Sequence, residues 1–134
     1  MSGLSHVEIY VSDLGRTVEF WGWLLPKLGF LPYQEWDTGR SWRSGSTYLV
    51  FVQAEAEYRS EAVHRKRPGI NHLAFWAEST DQVESLTKEL RDRGVRILYD
   101  DRPPHEIGAP SPYAVFFEDP DRIKVEIVLR KDEG

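Results

Sequence analysis

The sequence feature that most constrains the fold is an internal repeat. The segment HVEIYVSD begins at His6, and a segment of the same length and character, HLAFWAES, begins 66 positions later at His72. In both segments, β-branched and aromatic residues recur with the two-residue period of a strand. Each segment leads into a stretch with the spacing of an amphipathic helix, which ends at Gly29 in the first copy and at Gly94 in the second. We therefore expect two copies of one supersecondary unit.

Three strand-like runs follow each predicted helix. They are LPYQEW, RSWRS and TYLVFV in the first copy, and VRILYD, YAVFFE and RIKVEIV in the second. Each copy is therefore predicted to be a βαβββ module, which makes the chain an α+β protein. We predict a single domain over residues 1–134, with modules at about 3–53 and 69–130 and a polar linker at about 54–68.

Composition narrows the classes of function. The 134 residues carry a formal net charge of −5 and no cysteine, so we expect neither nucleic-acid binding nor thiolate metal ligands. The one basic run, His64 to Arg67, is predicted to be a solvated surface run. We also expect no leader and no membrane span, because no stretch approaches the ~18 apolar residues of a span. A cytoplasmic protein is expected.

The strand period separates two sets of side chains on the first strand of each copy. In HVEIYV the aliphatic side chains are predicted to face the helix, which leaves His6, Glu8 and Tyr10 on the opposite face. In HLAFWA the same period places His72 and Trp76 together on the face turned away from the helix. Both histidines are therefore predicted to project away from the helices.

A third ligand-type side chain lies in the last strand. Glu126 is flanked by valine and isoleucine, where a carboxylate is costly to bury without a partner. If the two non-helical faces oppose each other, His6, His72 and Glu126 converge as ligands for Zn²⁺, Ni²⁺, Mn²⁺ or Fe²⁺, with coordination positions left open. The alternative is that the histidines form hydrogen bonds in a core and that Glu126 pairs with Lys124 or an arginine.

Four segments, in this order, resemble the vicinal oxygen chelate superfamily of glyoxalases, bleomycin-resistance proteins and extradiol dioxygenases. They are SHVEIYVSDLGRTVEFW, the LGF after the first helix, NHLAFWAES and FFEDPDRIKVEIV. The resemblance implies a curved eight-stranded mixed sheet around a metal cavity, with His6, His72 and Glu126 as the ligands. It also implies a small-molecule substrate that chelates the metal through two adjacent oxygens, and a homodimer.

The sequence departs from the superfamily pattern in two places. Glyoxalase I enzymes supply a fourth ligand from the fourth strand, but TYLVFV contains no carboxylate, amide or imidazole. The turn after the seventh strand ends in Arg122, where the pattern has glycine or histidine, so specific recognition of fosfomycin is not expected. The three-ligand set more resembles the fosfomycin-modifying transferases and, with iron, the extradiol dioxygenases.

Four further residues are candidates for contact with the substrate. Glu8 lies one pleat beyond His6, about 6 to 7 Å along the strand, and we predict that it is the general base. The alternatives for Glu8 are a fourth ligand, a partner of the second histidine or a rim carboxylate. Tyr10, Tyr48 and Trp76 are predicted to form a hydrophobic wall for an aromatic or polyketide-like substrate, with packing as the alternative for each.

Three functions remain open at this point. The first is a metal-dependent lyase, isomerase or group transferase, and the second is an Fe(II) extradiol-type dioxygenase. The third is a non-catalytic small-molecule binding protein of the bleomycin-resistance type. A complete set of ligand positions favours an enzyme, because the binding proteins that resemble this superfamily generally lack the triad.

Overall fold

The computed structural model describes residues 2–100 and 113–130, and the chain divides into two compact units. One unit extends to Ala62 and the other begins at Val63. Among the described residues, each unit contains one α-helix and one four-stranded mixed sheet. The predicted pair of βαβββ modules is therefore confirmed.

The first unit contains β1 (His6–Val11), α1 (Leu14–Lys27), β2 (Leu31–Trp36), β3 (Gly39–Ser44) and β4 (Thr47–Gln53), followed by a short 3₁₀ turn at Ala56–Tyr58. The strand order in its sheet is β1-β4-β3-β2. Because α1 crosses over the sheet, β1 pairs with β4 in parallel, while the remaining pairs are antiparallel. The first and last strands of the unit are thus neighbours.

The second unit contains β5 (His72–Ala77), α2 (Thr80–Asp92), β6 (Ile97–Leu98), β7 (Ala114–Glu118) and β8 (Lys124–Leu129). Its strand order is β5-β8-β7-β6, with β5 and β8 parallel, so the topology of the first unit is repeated. In β6 only two residues pair, although the sequence predicts a longer strand over VRILYD.

Both helices end at the glycine that the sequence indicated. The N–H of Gly29 donates to the carbonyl of Pro26, and the N–H of Phe30 donates to the carbonyl of Leu25. Gly29 adopts a φ of 89°, which a side chain would disfavour. Since Gly94 ends α2 with the same pair of hydrogen bonds and a φ of 77°, the Schellman termination belongs to the repeated unit.

The helices begin with side-chain caps. The carboxylate of Asp13 accepts the N–H of Arg16 at the start of α1. At the start of α2 the hydroxyl of Ser79 accepts the N–H of Gln82, and the Gln82 amide accepts the N–H of Glu78. These contacts satisfy donors that helix geometry leaves unpaired. No helix in the described part of the chain is long and apolar enough to cross a membrane.

Each helix packs one apolar face on the sheet of its own unit. In α1, Trp21 is fully buried and its ring stacks on Phe51 of β4 at a centroid distance of 5.1 Å. In α2 the buried residues recur at helical spacing, which confirms the predicted amphipathic helix; they are Val83, Leu86 and Leu90. With the helices on one face, the histidine-bearing faces of β1 and β5 lie on the other side of each sheet.

Candidate metal centre

A histidine and a buried glutamate meet on the sheet of the second unit. The parallel register of β5 and β8 places Ala74 opposite Glu126 and His72 opposite Lys124. His72 therefore reaches Glu126 diagonally, and its Nε2 lies 3.1 Å from Oε1 of the carboxylate. Two of the three predicted ligands are thus adjacent within this unit.

The second carboxylate oxygen of Glu126 has no hydrogen-bond partner within the described part of the chain. Only 4% of this residue is exposed, and Oε2 is buried without a hydrogen bond among the described residues. A buried polar atom left unsatisfied costs roughly 1–3 kcal/mol, and more when it is charged. A cation beside the carboxylate would remove this cost, so the residues present fit a bound metal ion.

Lys124 engages groups other than Glu126. Its ammonium donates to the hydroxyl of Tyr99 at 3.0 Å and lies 4.7 Å from the centroid of that ring and 5.1 Å from that of Phe116. The hydrogen bond from Lys124 lowers the pKa of Tyr99 and outweighs the opposing effect of burial. Tyr99 also adopts a left-handed φ of 56°, which few residues other than glycine adopt. Among the described residues Glu126 thus pairs with His72, and not with Lys124 or an arginine as the alternative interpretation expected.

The first unit presents its histidine on an aromatic surface. His6 is exposed, and its ring stacks on that of Tyr48 with the centroids 4.5 Å apart and the planes 10° from parallel. Tyr48 in turn contacts the edge of Tyr33 at 5.2 Å. The register explains the stack, because Tyr48 lies directly opposite His6 on β4. Stacking restricts the rotation of the imidazole. It covers the face of the ring and not the edge, where the two nitrogens lie.

The structure confirms the faces of the other candidate residues but not their roles. Glu8 and Tyr10 lie with His6 on the more exposed face of β1, and Tyr10 is 59% exposed. Trp76 on β5 is 48% exposed, and the guanidinium of Arg130 lies 5.0 Å from its ring centroid. Accessible aromatic rings and a carboxylate are suited to contact a small molecule.

The complete set of three ligands stays a prediction. Within residues 2–100 and 113–130, no group of three or more histidine, aspartate and glutamate side chains forms a cluster that could hold a metal ion. The structure brings His72 to Glu126 within one unit, and it brings His6 to Tyr48 within the other. The roles of Glu8, Tyr10 and Trp76 are likewise predictions.

A second buried carboxylate lies at the end of β7. Glu118 pairs with Arg65 at 3.2 Å and with Arg122 at 2.9 Å. Burial acts to raise the pKa of Glu118, but the hydrogen bond and the charges of the nearby arginines lower it overall.

The prediction that the basic run from His64 to Arg67 is exposed to solvent is wrong for Arg65, because its side chain is only 14% exposed. Arg122 adopts a left-handed φ of 67° at the turn where the superfamily pattern has glycine or histidine.

Sequence reasoning missed two polar residues beside the histidines. Oδ1 of Asn71 lies 2.8 Å from Nδ1 of His72, and Oγ of Ser5 lies 2.9 Å from Nδ1 of His6. The signal was present in the repeat, since each of these residues directly precedes its histidine. Extending the comparison of the two copies by one position would have identified both.

Comparison with known proteins identifies the family. Residues 3–127 match the model of the Glyoxalase/Bleomycin resistance protein/Dioxygenase superfamily. An uncharacterised Bacillus subtilis protein, YqjT, is 51% identical over 125 residues, which cover 93% of this chain and 97% of YqjT. Glutathione transferase FosA of Serratia marcescens is 29% identical over 127 residues, which cover 95% of this chain and 80% of FosA.

Solved structures show the same fold. A glyoxalase candidate from Bacillus halodurans has a TM-score of 0.88 and 53% identity, with 95% of each chain covered. The fosfomycin resistance protein FosX of Listeria monocytogenes, in complex with Mn(II) and sulfate, has a TM-score of 0.69 and 20% identity, with 99% of this chain and 94% of FosX covered. The chain thus belongs to the Glyoxalase/Bleomycin resistance protein/Dioxygenase superfamily, in agreement with the resemblance of its motifs.

Proposed function

We propose that this protein is a metal-dependent enzyme in which His6, His72 and Glu126 hold a divalent ion that activates a small oxygen-bearing substrate. One observation carries the proposal: in the second unit, the buried carboxylate of Glu126 faces an imidazole nitrogen, and its other oxygen has no hydrogen-bond partner in residues 2–100 and 113–130. Imidazole and carboxylate are preferred ligands of Zn²⁺, Mn²⁺ and Fe²⁺. The bound ion would act as a Lewis acid that stabilises negative charge developing on a substrate oxygen.

The protein's own residues would bind the substrate and move a proton. Glu8, on the same face as His6, accepts a proton from the substrate or from an attacking nucleophile as general base. Tyr10 and Trp76 supply exposed aromatic surface for the apolar part of the substrate. Tyr48 contributes to the same wall and, through its stack on His6, also restrains the orientation of that ligand.

The strand register of the first unit favours group transfer over a glyoxalase I reaction. In the first unit the β4 residue that corresponds in register to Glu126 is Val50, so this strand offers no fourth ligand of the glyoxalase I kind. A relative, FosA, is a glutathione transferase. We therefore propose addition of a thiol to an electrophilic small molecule, with a glyoxalase-like lyase or isomerase reaction as the second candidate.

Metal analysis tests the proposal first. Purified protein should bind one equivalent of Mn²⁺, Zn²⁺, Ni²⁺ or Fe²⁺ per chain. Glu126→Gln should weaken this binding by more than ~100-fold, because the substitution changes a proposed ligand itself rather than a group that supports a ligand. Glu84→Gln is the control, because it also neutralises a carboxylate, lies on the exposed face of α2 and should leave metal binding unchanged. Absence of stoichiometric metal in the wild type would favour the non-catalytic binding protein instead.

A screen of the metal-loaded enzyme then separates the reaction classes. Loss of free thiol from mixtures of glutathione with epoxides, fosfomycin among them, would support group transfer. Oxygen consumption with a catechol and iron would support the dioxygenase.

The homodimer and the cytoplasmic location remain predictions, which light scattering and cell fractionation can test.

A further inference from the structure

The duplication extends to the support of each histidine. In both units the residue before the histidine contacts Nδ1, through Ser5 Oγ for His6 and through Asn71 Oδ1 for His72. In both cases Nδ1 is engaged by a side chain, which directs Nε2 away from that neighbour. In the second unit, Nε2 is the atom that faces Glu126.

Two contacts fix which end of the Asn71 amide meets His72. The Nδ2 amino group of Asn71 donates to the backbone carbonyl of Arg65 at 3.3 Å. The ammonium of Lys124 lies 3.5 Å from Oδ1 of Asn71, and an ammonium can only donate. The oxygen of Asn71 is therefore the atom that His72 contacts, and it can only accept.

The imidazole of His72 thus lies between two acceptors. With Asn71 Oδ1 at Nδ1 and the Glu126 carboxylate at Nε2, the ring satisfies both sides only if both nitrogens carry protons or if a cation replaces the proton at Nε2. When a cation is bound, the single remaining proton must lie on Nδ1, where Asn71 accepts it.

We propose that Asn71 is a positioning residue that retains the proton of His72 at Nδ1 and thereby presents Nε2 to the metal. The inference rests on the proposed metal site. Lys124, itself anchored by the hydroxyl of Tyr99, holds the oxygen of Asn71 in place. Ser5 is a weaker counterpart, because a hydroxyl can donate as well as accept and does not select one tautomer of His6.

The experiment compares three variants by metal affinity and by NMR. Asn71→Leu removes the acceptor at similar size, Asn71→Asp retains an oxygen, and Ser5→Ala is the matched change in the first unit. We expect Asn71→Leu to weaken Mn²⁺ binding by ~10–100-fold, as removal of a group that orients a ligand does in other metal sites, and Asn71→Asp to restore it. Ser5→Ala should change the affinity less than Asn71→Leu does.

In the Zn²⁺-loaded protein the Nδ1 proton of His72 should give a slowly exchanging resonance, which Asn71→Leu should lose to exchange with water and Asn71→Asp should keep. Unchanged affinity and an unchanged resonance in Asn71→Leu would overturn the inference while leaving the metal site standing. A wild-type protein that binds neither ion would overturn both. If Asn71→Leu fails to fold, Lys124→Met, which frees the Asn71 amide, should weaken Mn²⁺ binding in the same direction, and no weakening would overturn the inference.

Discussion

The two units share one topology but place their carboxylates differently. At the positions where the second unit has Ala74 on β5 and Glu126 on β8, the first unit has Glu8 on β1 and Val50 on β4. The carboxylate of the second unit is buried beside a histidine, whereas that of the first is exposed. Under the proposed function, the carboxylate of the second copy would be a metal ligand, and the carboxylate of the first copy would transfer a proton.

The residue opposite each histidine on the neighbouring strand also differs between the two units. His6 lies opposite Tyr48, which stacks on it, while His72 lies opposite Lys124, whose ammonium belongs to a polar chain. An aromatic stack restrains the ring plane, but a hydrogen-bonded chain also fixes the proton. Under the proposed role of Asn71, the second unit would therefore restrain its histidine more closely than the first.

Glu8→Gln tests this proposed difference in roles, with the largest expected effect. Loss of the general base should lower kcat by ~10²–10⁴-fold, because proton transfer typically contributes this much, while metal content stays unchanged. Turnover of the substrate found in the thiol screen and metal analysis of the same preparation measure both. Glu19→Gln, an exposed change on α1, is the control, and an unaltered kcat in Glu8→Gln would exclude the base role.

Gln53→Leu tests a side-chain contact of the first unit that the leucine at the matching position of the second unit cannot make. The Gln53 amide accepts the N–H of Leu14 at 2.9 Å and donates to the carbonyl of Ser12 at 2.9 Å, which joins β4 to the turn between β1 and α1. The corresponding residue in the second unit is Leu129. We expect the free energy of unfolding to fall by about 1–3 kcal/mol, as backbone groups lose their partners. Urea denaturation measures the change, and Leu129→Met should have little effect.

Glu118→Gln tests a charge network that belongs to the second unit. Because its folded-state pKa is lowered, ionised Glu118 stabilises the fold at pH values above its unfolded pKa of about 4.3, and this contribution is lost as the pH falls through the lower folded-state pKa. Thermal unfolding should show the variant less stable at pH 7, with the difference shrinking below about pH 4. Glu84→Gln, an exposed change on α2, should show no such convergence.

Thr17→Val should have the smallest effect and the opposite sign. Thr17 is fully buried in α1, and its hydroxyl has no hydrogen-bond partner among the described residues. At the same turn of α2 the second unit has Val83. Replacing the hydroxyl by a methyl group should raise the free energy of unfolding by up to about 1 kcal/mol. Thr87→Val is the control, because its hydroxyl donates to a carbonyl at 2.7 Å and its loss should not stabilise.

The features that could be predicted from the sequence are those that depend on the spacing of residues along the chain. The repeat, the strand faces that carry His6 and His72, and both helix ends at glycine follow from spacing along the chain, and the structure confirms them. The contacts of Lys124 with Tyr99 and of Arg65 with Glu118 could not be predicted, because they join residues that only tertiary packing brings together. Strand period fixes the face of a side chain but not its neighbours.

The conformation of Arg122, in the turn between β7 and β8, has a consequence for the histidine on β5. Left-handed backbone at a non-glycine residue costs roughly 1–3 kcal/mol, and Arg122 accepts this conformation while its guanidinium clamps Glu118. The same carboxylate anchors the side chain of Arg65, whose carbonyl in turn secures Asn71, the residue before His72. The strained turn is thus linked through these contacts to the orientation of the His72 imidazole on another strand, and a change at this turn would disturb that orientation from a distance.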